Sequence, residues 1–294
     1  MTPGRASRTA EHMALFRAVE TARPAGSRLF TDPFATRFLR PAYLLVARLA
    51  RFPVLRSLVV RRIDGLVPGA RTSAVARTRL IDDALAAALT SIDQVVILGA
   101  GYDCRAYRIP ALAPLPVFEV DHPDTLGEKQ RRLAGHDVAH VRFVGTDFDR
   151  RSAADALAAT DYEVARRTFF IWEGVTNYLS ATAVDATFRW LGTAAAGSTV
   201  AFTYVHRSVL DAPGTFEGAE DLLRELVRLG EPWTFGLDPA ETRAYLRARG
   251  LTLVEDLGAD EYRRRYLAGR PDGRRGYAFY RVALATVADR TAAG

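Results

Sequence analysis

The chain predicts an α/β fold in three layers, an open sheet of about seven strands covered by helices on both faces. Three observations carry this. Short apolar runs recur with helix-compatible stretches between them, the first run enters a glycine turn at Gly99 and Gly101, and acidic residues follow the next runs at Asp121, Asp147 and Glu173. The 294 residues, 49% hydrophobic and 25% charged, suffice for one large domain with an ample core.

Residues 94–98 read as a buried strand because four branched or long apolar residues follow a polar one. Gly99 and Gly101 then remove side chains where the backbone turns tightly beside a ligand. Residues 116–120 form a second strand ending in Asp121, the position from which such a sheet offers a carboxylate to a ribose diol. A third strand at 141–144 precedes Asp147 and Phe148, a carboxylate beside an aromatic that suits an adenine amino group and ring face. The fourth, at 168–172, ends in Glu173-Gly174, and the fifth spans 198–204. Ligands of open α/β sheets sit outside the carboxyl ends of the strands, so one nucleoside-sized molecule can touch the first four endings.

Residues 1–90 read as a helical cap within the same globular unit, with helices at 9–22, across 33–63 with breaks at Pro24 and Pro53, and at 72–90. Residues 91–294 form the core, with helices at about 123–134, 151–159, 180–195 and 238–249. An insertion at about 208–236, carrying a helix around 219–229, interrupts the alternation as a lid over the mouth. Strands at 251–257 and 277–285 close the sheet as an antiparallel hairpin, with the turn-rich stretch 269–273 between them.

A nicotinamide fingerprint requires G-x-G-x-x-G, and Cys104 stands where the third glycine belongs. That glycine permits close helix–strand packing beside a pyrophosphate, so its loss points away from a dinucleotide. S-adenosyl-L-methionine, with adenine, ribose and an amino-acid tail but no phosphate, fits the same endings.

Seven short motifs then stand in order: 7–10 (Ser-Arg-Thr-Ala), 31–35 (Thr-Asp-Pro-Phe-Ala), 77–83, the 99–105 turn, 119–123 (Glu-Val-Asp-His-Pro), Asp147-Phe148, and 173–179 (Glu-Gly-Val-Thr-Asn-Tyr-Leu). In this order and spacing the chain resembles the bacterial branch of the leucine carboxyl methyltransferase family, class I S-adenosyl-L-methionine-dependent methyltransferases with a Rossmann-like sheet. The resemblance implies that Asp121 holds the ribose hydroxyls, Asp147 and Phe148 position adenine, and Gly99 lies under the methionyl part. It implies that Arg77 pairs with the methionyl carboxylate, that Glu173 accepts from the ammonium or holds the adjoining loop, and that Arg105 anchors the turn or supports that same charged end. Ala100, Gly101, His122 and Gly174 belong to the same cofactor-binding set. A helix-surface ion pair of Arg77 with Asp82 is the competing structural reading.

The resemblance implies methyl transfer to oxygen, and the expected acceptor is the carboxylate of a small acidic or polyketide-like metabolite of secondary metabolism. A carboxylic acid, with a reference pKa of about 4, is ionised near neutrality and needs no general base. A phenol or alcohol needs one, and His206, just past the fifth strand, is the candidate. Tyr178 and Tyr204, near the ends of the fourth and fifth strands, are expected to contact the acceptor. Two alternatives stay open: phenol or hydroxyl methylation, and an S-adenosyl-L-methionine-binding protein whose chamber serves a non-methylating or cyclisation function.

The net charge of +6 raises nucleic acid as a partner, but the arginines are scattered among 34 acidic residues and no basic stripe interleaved with aromatics occurs, so no nucleic-acid partner is expected. The densest basic stretch, Arg48 to Arg62, reads as an amphipathic helical segment covering the entrance, with an acidic substrate or an anionic surface the weaker alternative. One cysteine excludes an intramolecular disulfide, and no metal-ligand cluster is seen, so no metal is expected. No apolar run reaches membrane-spanning length and residues 1–30 hold no secretory apolar core. A cytoplasmic protein without membrane insertion is expected, with a homodimer an open option.

Overall fold

The runs QVVIL, VFEVD and TFFIW are buried at every position, as parallel strands covered on both faces must be. They form β1 (Gln94–Leu98), β2 (Val117–Asp121) and β4 (Thr168–Trp172). With β3 (Val141–Gly145), β5 (Thr199–Val205), β6 (Leu251–Leu257) and β7 (Tyr280–Val287) they build one seven-stranded sheet in the order β3-β2-β1-β4-β5-β7-β6. The structure is a computed structural model and describes residues 8–148, 151–269 and 276–288. Ser7, residues 270–273 of the expected hairpin loop and the outermost ends of both expected domains therefore lie outside the described residues.

The first five strands are parallel, and β7 runs antiparallel between β5 and β6. Val96 of β1 lies beside Phe118 of β2 and Phe170 of β4, a register that brings the ends of these strands level. The strand order reverses from β1, so the ends of β1, β2 and β4 border the crevice where such sheets hold ligands.

Alternation along β1 sends Val95 and Ile97 to one face and Val96 and Leu98 to the other. On the first face, Leu80, Ile81 and Leu85 of α4 (Ala70–Ala88) cover the sheet, after α1 (Arg8–Thr21), α2 (Pro41–Leu49) and α3 (Pro53–Leu66). On the second, α7 (Ala153–Leu157), α8 (Ala181–Leu191) and α11 (Pro239–Arg247) pack against Phe118, Phe170, Trp172 and Phe202. Two elements between them carry the turn side of the site, α5 (Arg105–Arg108) and α6 (Pro123–Arg132).

The expected helix across 33–63 is divided further. Residues 35–38 form a single 3-10 turn, and Pro41 and Pro53 each start a helix, where their missing N–H costs nothing. The insertion holds α9 (Ser208–Asp211) and α10 (Ala219–Leu229), the latter ending at Gly230 with φ +74°. Between β6 and β7 the sequence reading assigned no helix, but α12 (Ala259–Tyr266) lies there. Its Tyr262 hydroxyl stands 2.8 Å from Ser73 Oγ of α4, and the same oxygen accepts from Tyr277 N at 2.8 Å. This joint carries the segment before β7 to the cavity.

Candidate functional site

A cavity of about 690 Å³ opens at the carboxyl ends of β1, β2 and β4. Its floor is the turn after β1. Gly99 and Gly101 have φ of +66° and +43°, the left-handed region that favours glycine. A Cβ on Gly99 would stand 2.3 Å from Val175 Cγ2, so no side chain fits there, whereas one on Gly101 would meet nothing closer than 3.8 Å and would extend into the space.

Asp121 closes the floor from the neighbouring strand. Its Oδ2 accepts from Gly101 N and its Oδ1 from His122 N, each at 2.6 Å. Burial pushes its pKa up while the two amides pull it down. Each carboxylate oxygen has a second lone pair beyond the amide it accepts, and the residue lines the cavity. His122 caps α6, its Nδ1 accepting from Asp124 N at 3.2 Å, and Asp147 and Phe148 line the same side beyond β3.

Glu173, at the end of β4, joins two arginines. Its Oε1 accepts from Arg77 Nε at 2.7 Å and its Oε2 from Arg105 Nη1 at 2.9 Å. Arg105 also donates from Nε to Asp82 at 2.8 Å and pairs with Asp103. Burial alone would raise the Glu173 carboxyl, but Arg105 and then Arg77 hold it below the usual range. Against the same burial, Arg105 and the more distant Lys129 and Arg17 bring Asp103 down to about 2. Arg77 leans over the Tyr280 ring, 4.9 Å from its centroid, and its Nη1 has no hydrogen-bond partner among the described residues. The competing ion pair of Arg77 with Asp82 does not form, because Asp82 is occupied by Arg105 and Arg108.

The far wall is aromatic and apolar. Tyr178 follows β4 in a 3-10 turn, and the insertion brings Trp233 edge-on to it at 6.5 Å between centroids. Thr234 pins that leg of the insertion through N to Asn177 O at 2.8 Å and Oγ1 to Leu179 O at 2.9 Å. Leu222 and Leu226 of α10, Met13 of α1, and Tyr277 and Tyr280 complete the wall. Burial pushes the Tyr178 and Tyr277 hydroxyls up to about 12, so both are protonated donors at neutral pH. Thr9 Oγ1 of α1 donates to Glu231 just past α10, closing the rim between the N-terminal helix and the insertion.

Twelve of the expected site residues thus line one cavity: Arg77, Gly99, Ala100, Gly101, Arg105, Asp121, His122, Asp147, Phe148, Glu173, Gly174 and Tyr178. Tyr204 and His206 do not. Thr203 points toward the site, its Oγ1 accepting from Gly174 N at 2.7 Å, so alternation turns Tyr204 to the opposite face of β5. There its hydroxyl donates to Asp256 Oδ2 at 2.6 Å. His206 leaves the strand, accepts from Ser208 N at 3.1 Å and packs against Phe216. Sequence reading missed Asp103, Trp233, Tyr277 and Tyr280. Asp103 has a local signal, an acid two residues before Arg105 in the turn, whereas the three aromatics arrive through long-range packing.

Residues 10–192 match the leucine carboxyl methyltransferase family. The chain belongs to that family. A Mycobacteroides abscessus protein described as an S-adenosyl-L-methionine-dependent methyltransferase is 34% identical over 287 residues, covering 90% of this chain and 88% of its own. A Frankia alni protein of the same description is 33% identical over 265 residues, covering 84% and 81%. Among solved structures, a DUF574 family protein of Streptomyces avermitilis is similar in fold, with a TM-score of 0.60, 17% identity, and 96% and 98% of the two chains covered. This member of the leucine carboxyl methyltransferase family is an S-adenosyl-L-methionine-dependent methyltransferase, and its cradle fits that cofactor: a glycine floor, a buried carboxylate and a paired arginine meet at one strand edge.

Proposed function

We propose that the chain is an O-methyltransferase whose acceptor is the carboxylate of a small, largely apolar acid, polyketide-like in character. The observation that carries this is the state of the far wall: Tyr178 and Tyr277 stay protonated, and among the described lining residues the one histidine, His122, stands on the opposite side beside Asp121. Such a wall donates hydrogen bonds to an anionic oxygen and supplies no imidazole to create one. A carboxylate arrives already ionised, and the aromatic and leucine surfaces suit the rest of an apolar acid.

Bound S-adenosyl-L-methionine supplies a methyl group on an electron-poor sulfonium. Asp121 would hold the ribose hydroxyls through its remaining lone pairs, and Asp147 with Phe148 would hold adenine. Arg77 would bind the methionyl carboxylate through the free side of its guanidinium, the planar fork being suited to a carboxylate. Glu173 would receive the methionyl ammonium while neutralising both arginines. Arg105, tied to three carboxylates, keeps the turn rigid and holds Glu173 in place. The described helices before β1 would act as a cap and the 208–236 insertion as a lid, excluding water so that position and preset charge do most of the work.

The test is S-adenosylhomocysteine release with a panel of aromatic and polyketide-type acids and matched phenols. Turnover on acids giving a product that alkali hydrolyses, as it does a methyl ester, supports the reading. Turnover confined to phenols, giving alkali-stable ethers, overturns it.

A further inference from the structure

Among the described residues, nine large apolar side chains are exposed, and six of them fall between Leu45 and Leu66. They are Leu45, Phe52, Val54, Leu55, Leu58 and Leu66, exposed by 37% to 75% on the outer side of α2, α3 and the link between them. The inner side is satisfied: Ala47 and Val60 are buried in the core cluster that also holds Leu15 and Val19 of α1, with Val59 and Ile63 packed beside it. The outer face is therefore not a core seam left open by a missing helix. Scattered single apolar residues are ordinary on a surface, but a concentration of this kind marks an interaction site.

The charge around the patch selects the occupant. Arg48, Arg51, Arg61 and Arg62 are exposed and form no ion pair among the described residues. The only carboxylate in 40–69 is Asp64, which is buried and held by both arms of Arg71 at 2.8 and 2.9 Å. The face thus carries apolar side chains standing out from the surface, unneutralised arginines and no exposed negative charge. A second copy docked by the same face would set arginine against arginine. An interfacial lipid layer accepts protruding leucine and phenylalanine and meets the arginines with its headgroups.

We infer that the α2–α3 hairpin is a peripheral docking surface for an anionic lipid bilayer, its apolar residues entering the acyl boundary and its arginines resting on anionic headgroups. No helix among the described residues is long and apolar enough to cross a membrane, so the contact is superficial. The helical layer that carries the patch also contains α1, which lends Ala10 and Met13 to the cavity. The bilayer would thus lie against the layer that covers the site, a suitable arrangement for an apolar acid dissolved in lipid.

The experiment is flotation of the full chain with vesicles of phosphatidylcholine alone and of phosphatidylcholine with phosphatidylglycerol, at low and high salt. Expected is recovery with the anionic vesicles only, weakened by salt, with about fivefold lower partition for each arginine removed among Arg51→Gln, Arg61→Gln and Arg62→Gln. Phe52→Ser with Leu58→Ser should abolish flotation while S-adenosylhomocysteine affinity and melting temperature stay unchanged, since neither residue touches the cavity. A tryptophan placed by Phe52→Trp should shift its emission to the blue on anionic vesicles. Flotation with neither vesicle, equal flotation with both, or a concentration-dependent dimer dissolved by the serine pair would each overturn the inference.

Discussion

The carboxylate of Asp121 and the amide of Gly101 meet at 2.6 Å, so the end of β2 is fixed to the turn after β1. Replacing Asp121 with Ala removes both this tie and the proposed ribose contact. Asparagine does not rescue it, because its NH2 would oppose either the Gly101 or the His122 amide. At about 1.5–3 kcal/mol for hydrogen bonds to a charged group, S-adenosylhomocysteine affinity should fall by roughly ten- to hundredfold in both variants. Calorimetric titration checks this; wild-type affinity in either variant would remove Asp121 from the cofactor site.

Glu173→Gln should destabilise the fold by about 3 kcal/mol at neutral pH, because Arg77 loses its carboxylate partner in a buried setting. The pH dependence has a definite sign. Burial would raise Glu173 and Asp103, but Arg105 and its neighbours hold both below their unfolded-chain values, Asp103 at about 2. Their stabilisation is complete above an unfolded pKa of about 4 and is lost as pH falls through the folded values. Urea midpoints from pH 7 to pH 3 should therefore fall more steeply for wild type than for Glu173→Gln, the two curves converging in acid. Parallel curves would show that the network contributes nothing to acid sensitivity.

The strand endings were legible because each candidate residue there is tied to a position along a parallel strand. An acid after an apolar run, and a glycine pair after the first, are local signals, and the residues they single out, Asp121, Glu173 and the turn, line the cavity. Tyr204 shows where such reading stops. A one-residue difference along β5 separates the face of Thr203 from that of Tyr204, and two neighbouring polar residues in an apolar run leave that choice open. Tyr277, just before β7, and Tyr280, its first residue, stand about 175 residues beyond the turn, and the joint of Ser73 with Tyr262 and Tyr277 N holds that segment at the cavity. The helix α12 was missed because its YRRRY stretch shows little apolar face, and tertiary contact through Tyr262 and Ala259 decides it.

Glu119 on β2 and Lys129 on α6, the chain's single lysine, stand 2.7 Å apart with both side chains fully buried. Removing the carboxylate strands the buried Lys129 charge, so Glu119→Leu should cost about 3–5 kcal/mol. Replacing both, as Glu119→Leu with Lys129→Met, should recover most of that loss, since well-packed apolar pairs match buried ion pairs in stability. Burial pushes Glu119 up to about 7 against the pull of Lys129. A carboxyl raised above its unfolded value contributes stability below the unfolded pKa of about 4.5 and loses it as pH rises through the folded one. The advantage of wild type over the double variant should shrink from pH 5 to pH 8 in chemical denaturation; an advantage that grows would contradict the upward shift.

Tyr178 and His206 separate the two acceptor chemistries. Tyr178 lines the cavity, and its hydroxyl, pushed up to about 12 by burial, acts as a donor and not as a base. Tyr178→Phe should lower kcat/KM for a carboxylic acceptor by about tenfold, the value of one hydrogen bond to an anion, while S-adenosylhomocysteine affinity holds. His206 lies outside the cavity and is engaged with Ser208 N, so His206→Ala should leave turnover within about twofold of wild type. A pH–rate profile for the acid acceptor should accordingly lack a limb near the histidine range of about 6.5. Collapse of turnover in His206→Ala with the cofactor still bound would instead require this loop to move its imidazole into the cavity. The acceptor would then be one that needs a base.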